Sequence, residues 1–334
     1  METATAPMEL RPLTLGEILD RTAQLYRSNF LLFVGITIFP TAVLFVMGLA
    51  QIGFMHMLNG ANGQPSAAAL VTTGIATVGG IIVGGLVYAV LLGLSLAATN
   101  RAVSDLYLGQ PASIGRAYKE VKPHWFRYIW VMFVAALYAW APAVLLFIAV
   151  AGGAGVIEAL HIGSSALWLF PLIVIAAALL IVPFGIWMTM RYSLSVPASI
   201  FEDLRVHAAL KRSVFLTKNS RGRIFVLLLL VVAIAIVLSL AIQMPLLLLG
   251  FLVGKSHAPF PVLALVGNQV GSFIVNALLG PVYGITITLF YYDLRIRKEG
   301  FDIQWMMDRA KLGSDLPVPG HAAAIVPQPE APQL

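Results

Sequence analysis

The sequence predicts an all-α integral membrane protein. Six transmembrane helices are expected as three hairpins, each preceded by a cytoplasmic amphipathic helix. Three observations carry this. Six stretches, roughly 30–57, 68–98, 128–153, 165–190, 224–253 and 260–292, each reach the length of about 20 mainly apolar residues that a bilayer demands. Lys and Arg are almost missing from three of the connections. Three segments that lead into spans share one helical pattern of apolar residues.

The spans follow from composition. The 334 residues are 59% hydrophobic and 11% charged, where soluble domains average roughly 45–50% and about 25%. No single core absorbs that surplus, so lipid is the expected solvent. None of the spans has a Lys, Arg, Asp or Glu in its central part. The second is longer than a bilayer requires, which predicts tilt or a protruding end. Residues Met1 to Asn29 hold Glu2, Glu9, Glu17 and Asp20 and no apolar run, so the apolar stretch from Phe30 is expected to be a span and not a cleavable signal. The absence of cysteine excludes disulfides and thiolate chemistry.

Sidedness follows from charge. Three basic residues precede the first span (Arg11, Arg21, Arg27), and five lie between the second and third (Arg101, Arg116, Lys119, Lys122, Arg127). Seven lie between the fourth and fifth (Arg191, Arg205, Lys211, Arg212, Lys218, Arg221, Arg223), and five follow the sixth (Arg295, Arg297, Lys298, Arg309, Lys311). Only Lys255 falls in the other connections. Both termini are therefore expected in the cytoplasm. The net charge of +6 reads as this asymmetry and not as a nucleic-acid footprint. In "LFYYDLRIRKEGFD" (Leu289–Asp302) the switch from no charge to dense charge marks the exit of the last span, with Tyr291 and Tyr292 where an interfacial aromatic belt belongs.

The amphipathic segments begin at Thr14, Ser113 and Arg205. Leu15, Ile18 and Leu19 match Ile114, Ala117 and Tyr118, and Val206, Ala209 and Leu210, each set at i, i+3, i+4 on one helical face. Thr14 with Glu17 makes a capping box, and Ser113 is an N-cap candidate without the acidic partner. This predicts repeats at about 13–100, 112–191 and 205–292 and a pseudo-threefold bundle. The competing reading is that any multispan protein lays basic amphipathic helices on the cytoplasmic surface. One membrane domain is expected over 13–311, with an N-terminal tail over 1–12 and a Pro- and Ala-rich disordered tail over 312–334.

"YYDLRIRKEGFD" (Tyr291–Asp302), with "LTLGEILDRTAQLYRSNFLLF" (Leu13–Phe33) and "NRAVSDLYLGQPASIGRAY" (Asn100–Tyr118), resembles a bacterial membrane family whose members are often labelled as the membrane domain of glycerophosphoryl diester phosphodiesterases. The resemblance covers about residues 10–305. It implies a multispan inner-membrane protein. The soluble phosphodiesterase barrel sometimes fused to such domains is absent from this sequence, so no catalytic residue carries over.

The residues themselves offer little chemistry. There is no GxxxxGK[ST], HExxH or GxSxG pattern. Gly80/Gly84, Gly267/Gly271 and Gly280/Gly284 read as close-packing pairs between helices. Pro40, Pro142, Pro171, Pro183, Pro245 and Pro281 punctuate the spans, either shaping them or breaking them into transporter-like half-helices. Asn268, Ser272 and Asn276 recur at i, i+4, i+8 in the sixth span, beside Gln269, with Gln243 in the fifth. Amides in lipid need partners, so the stripe is expected to face the bundle interior, as interhelical glue or as the lining of a polar path. No carboxylate, Lys or His sits centrally in a span, which disfavours a proton-coupled pump. His56, His161 and His257 lie at or near the outward loops, with Glu158 close to His161. A pseudo-threefold axis could gather them around a metal, but no tight ligand spacing supports that, and no metal or cofactor is expected.

The expectation is a non-enzymatic multi-pass protein that binds or passes a lipid or small amphiphile. The alternative is a partner subunit that docks another protein through its basic cytoplasmic helices.

Overall fold

The computed structural model describes residues 11–60, 67–159, 169–253 and 260–314. Every regular element among them is helical: α1 (Leu15–Ser28), α2 (Phe30–Gly60), α3 (Ala67–Tyr107), α4 (Ile114–Val121), a 3-10 turn (Lys122–His124), α5 (Trp125–Ala159), α6 (Leu169–Tyr192), α7 (Ser195–Phe201), α8 (Val206–Thr217), α9 (Arg221–Val253), α10 (Phe260–Glu299) and α11 (Phe301–Ser314). Six of the helices are long and apolar enough to cross a membrane: α2, α3, α5, α6, α9 and α10. α3 runs on to Tyr107, well past the expected end of its span, and carries Asn100, Ser104 and Asp105 within the helix. The spanning helices run unbroken through Pro40, Pro142, Pro183, Pro245 and Pro281. Among the tail residues, 312–314 belong to α11, and 1–10 and 315–334 lie outside the described residues.

The three amphipathic segments are helices. Thr14 caps α1 by accepting the Glu17 N–H, while the Glu17 carboxylate accepts the Thr14 N–H at 2.7 Å, so the capping box is complete. The Ser113 hydroxyl accepts the Arg116 N–H. Arg205 precedes α8 without a side-chain cap. The same register positions are buried in all three: Ile18, Ala117 and Ala209, and one turn later Thr22, Val121 and Ser213.

α10 is the axle of the fold. It packs against α1, α2, α3, α7, α8, α9 and α11. Two glycines allow this. A Cβ at Gly280 would stand 3.1 Å from Thr37 Cγ2 of α2, and one at Gly284 would stand 2.7 Å from Thr99 Cγ2 of α3. The backbones therefore approach as only glycine permits. Gly84 and Gly271 likewise meet side chains, of Met47 and Leu246, whereas Gly80 and Gly267 face open space. α3 and α10 run side by side in the same direction, because Thr288 reaches Asn100 (2.9 Å) and Tyr292 reaches Ser104 (2.7 Å). Around them α2 packs on α3, α5 on α6 and α9 on α10. Gly300, in the left-handed region at φ 62°, ends α10 and turns the chain into α11.

Candidate functional site

One end of the bundle is a polar layer built by α1, α4, α7, α8, the first turn of α9 and the C-terminal turns of α3 and α10. At its centre Asp293 is fully buried. Its carboxylate accepts Arg223 Nη1 (3.0 Å), Arg297 Nε (2.9 Å) and the Leu13 N–H (2.7 Å). Arg223 and Arg297 also donate to the Leu13 carbonyl, at 2.9 and 2.7 Å. Both backbone polar groups of that one residue are thus clamped. A second network joins Glu202, Arg212, Arg295 and Glu299, with the Tyr291 hydroxyl donating to Glu202 at 2.6 Å. Burial acts to lower the Arg212 pKa, but its bonds to Glu299 and Glu202 outweigh that and raise it.

Tyr291 and Tyr292 are core residues, 0% and 3% exposed, and not an interfacial belt. Their hydroxyls are satisfied inside the protein by Glu202 and Ser104, so neither needs the water that draws tyrosine to a membrane surface.

Beside this layer the chain folds back. After α6 the short α7 is inserted with Ser195 to Ser199 all buried. The Ser213 hydroxyl donates to the Arg191 carbonyl (2.9 Å) and accepts the Leu194 N–H (3.2 Å), which fixes the start of α7 from α8. Ser199 donates to the Leu204 carbonyl at 2.9 Å. Asp203, at φ 51°, is held by Arg127 of α5 at 2.5 Å, and that hydrogen bond keeps its carboxyl below the usual range.

α7 floors a cavity of ≈170 Å³ between α3, α5, α6 and α10. Leu96, Met132, Ala135, Ala136, Ala139 and Trp140 form apolar walls, and Thr189, Tyr192, Ser193, Ser195 and Tyr283 bring hydroxyls. The aliphatic hydroxyls donate back into their own helices: Thr189 to Gly185 (2.8 Å), Ser193 to Met190 (2.9 Å) and Ser195 to Tyr192 (2.7 Å). The phenols of Tyr192 and Tyr283 have no hydrogen-bond partner among the described residues. The cavity therefore offers uncharged donors beside an apolar slot.

The polar stripe of α10 does not form one interior face. Asn276 is exposed and donates to the Ser272 carbonyl of its own helix at 2.7 Å. Asn268 and Ser272 are half-buried. Two physical reasons account for this. Each four-residue step turns the helix on by about 40°, so three such residues fan over some 80°. The buried line at this level runs through Gly271 and Val275, one residue out of register with the stripe. An amide that reaches its own helix's carbonyl needs no neighbour. Gln269 does reach across, donating to the Leu44 carbonyl of α2 at 3.3 Å over Gly48. Gln243 packs across Gly271, and no hydrogen bond joins it to Asn276. His161 and His257 lie outside the described residues. His56 and Glu158 fall in α2 and α5 without described side chains. Among the described residues no group of His, Asp and Glu is arranged to hold a metal.

The cavity was invisible in the sequence because five separate elements build it. Its one local trace in the sequence is the short run Ser193–Pro197, which contributes Ser193, Ser195, Val196 and Pro197 to the lining. Residues 13–294 match the family described as "Domain of unknown function (DUF7847)". Comparison with curated proteins and with solved structures gave no match.

Proposed function

The chain belongs to the DUF7847 family of unknown function, and from that premise we propose that it is a non-enzymatic inner-membrane protein that shelters a neutral amphiphile in the cavity above α7. The observation that supports this reading is the combination of an apolar slot with the phenols of Tyr192 and Tyr283, which make no hydrogen bond among the described residues. Both tyrosines are half-buried, and a phenol at the mouth of an apolar slot is free to donate to a ligand's acceptor. An ester carbonyl at the base of an acyl chain supplies one, while the chain lies along Leu96, Met132, Ala136 and Trp140. At ≈170 Å³ the cavity is below the roughly 300–1,000 Å³ of drug-sized sites, which suits one slim chain.

In this reading the polar layer faces the cytoplasm, as the basic residues direct. The units α1–α2–α3, α4–α5–α6 and α8–α9–α10 are three repeats of one amphipathic helix and one hairpin. The matched burial at Ile18, Ala117 and Ala209 supports the repeat. Reporter fusions after Gly60 and at Lys218 check the orientation: the first reports outside and the second inside, and the reverse pattern rejects it.

Native mass spectrometry of the purified full chain tests the cavity. The wild type should retain a lipid that Ala136→Trp loses by at least about tenfold, with the thermal midpoint little changed because the bulk enters existing space. Equal retention by Ala136→Trp removes the assignment. A stoichiometric protein in place of lipid favours the docking-subunit alternative.

A further inference from the structure

A cluster of two arginines and a tryptophan lies where the C-terminal end of α6 meets the start of α9. Trp187 and Arg191 are one turn apart on α6, and Arg221 is the first residue of α9. The Arg191 guanidinium stands 5.5 Å from the Trp187 ring and 5.9 Å from the Tyr192 ring, and the Arg221 guanidinium stands 5.2 Å from the same indole. Two cations are thus gathered on one aromatic plate.

Neither has a counter-ion among the described residues. The acidic groups around them are taken: Glu202 and Glu299 by Arg212 and Arg295, Asp203 by Arg127, and Asp293 by Arg223 and Arg297. The Nε atoms of Arg191 and Arg221 are buried with no hydrogen-bond partner. Arg127 also has a buried free Nε, but its fork is held by Asp203, which makes the α6–α9 pair the unusual case. Partly buried like charges without an anion repel each other and forgo the hydration they would have in water. Next to Arg221, a Cβ at Gly222 would meet nothing within 4 Å, so the surface beside that guanidinium is open.

We propose that Arg191, Arg221 and Trp187 form a binding site for the phosphate of an anionic membrane phospholipid. The depth fits. Arg191 closes one apolar helix and Arg221 opens the next, so both sit where a spanning segment meets the headgroup layer, and tryptophan favours that layer. Arginine presents planar, paired donors to phosphate oxygens. The free donors, the indole platform and the seam between two spans all point to a headgroup whose chains run down the α6–α9 surface. This site does not depend on the cavity reading.

The test uses the full chain in nanodiscs of phosphatidylglycerol or phosphatidylcholine, with lipid retention read by native mass spectrometry after extraction. The wild type should prefer phosphatidylglycerol by at least about tenfold. Arg191→Gln and Arg221→Gln should each cut that preference several-fold, and the double variant should abolish it. Lys211→Gln, an exposed charge on α8 that makes no contact with the Trp187 plate, should leave it unchanged. A double variant that keeps the preference overturns the proposal, and so does a Lys211→Gln effect of equal size. Millimolar inorganic phosphate should not displace the lipid. If it does, the site takes soluble phosphate and the lipid assignment falls. Should the glutamine variants fail to fold, a photoactivatable phosphatidylglycerol on the wild type must label peptides containing Trp187–Tyr192 or Arg221–Arg223, and labelling confined elsewhere overturns the site.

Discussion

α5 and α10 are both long apolar helices, and they occupy opposite kinds of place. In α10, 56% of the most apolar window is buried in the protein, against 11% in α5 and 17% in α9, the most apolar span of all. The aromatic side chains of α5 pack along the helix surface: Phe126 on Trp130 at 6.1 Å and Trp130 on Phe133 at 5.4 Å, all exposed. Those of α10 pack inward, where Tyr292 meets Tyr107, Phe201 and Phe301. The helix with more polar residues is the more buried one. In water an apolar side chain reports the interior. In lipid it reports nothing, and Thr286, Thr288 and Asp293 mark the inside instead.

If that contrast holds, the largest effect belongs to Asp293. Asp293→Ala leaves Arg223 and Arg297 without their carboxylate and frees the Leu13 N–H, and the loss should be about 3–5 kcal/mol. Phe133→Ala on α5 should stay within about 0.5 kcal/mol. Thermal unfolding in detergent compares them, and similar midpoints would break the contrast. A middle-sized effect separates two glycines. Gly284→Leu drives a side chain into Thr99 and should cost about 1–3 kcal/mol, while Gly85→Leu enters open space and should be near neutral. Chymotryptic stability of the two variants gives the ranking. The smallest effect is one of pH. The Thr14 N–H and Arg11 hold the Glu17 carboxyl at about 2, down from 4.5. A depressed carboxyl stabilises fully above its unfolded value, and that contribution fades as pH falls from 4.5 toward 2. The gap in thermal midpoint between wild type and Glu17→Gln should therefore narrow on acidification, and a constant gap would remove the capping box from the account.

What the sequence made legible was periodic or local. Six apolar runs, the caps at Thr14 and Ser113 and the three amphipathic stripes are each written within some 30 residues, and each helix formed. The fold-back of α7 was not legible, because seven residues without a repeating face carry no period. The partners of Asp293 lie 70 and 280 positions away, and no local pattern encodes such a distance. The α10 stripe misled because four-residue spacing looks like a face, while the true buried line was set by glycines that other helices need to approach.

The clamp on Leu13 has a temporal meaning. Its amide is made near the start of synthesis, and the carboxylate that receives it belongs to the last span, 280 positions later. During elongation from the N-terminus, α1 waits unlatched until α10 has been made and packed beside it. A chain that lacks its final span leaves Arg223 without its anion and the Leu13 N–H without its acceptor. The buried aspartate thus makes the first helix and the last span close as one event, because neither end of the latch is satisfied without the other.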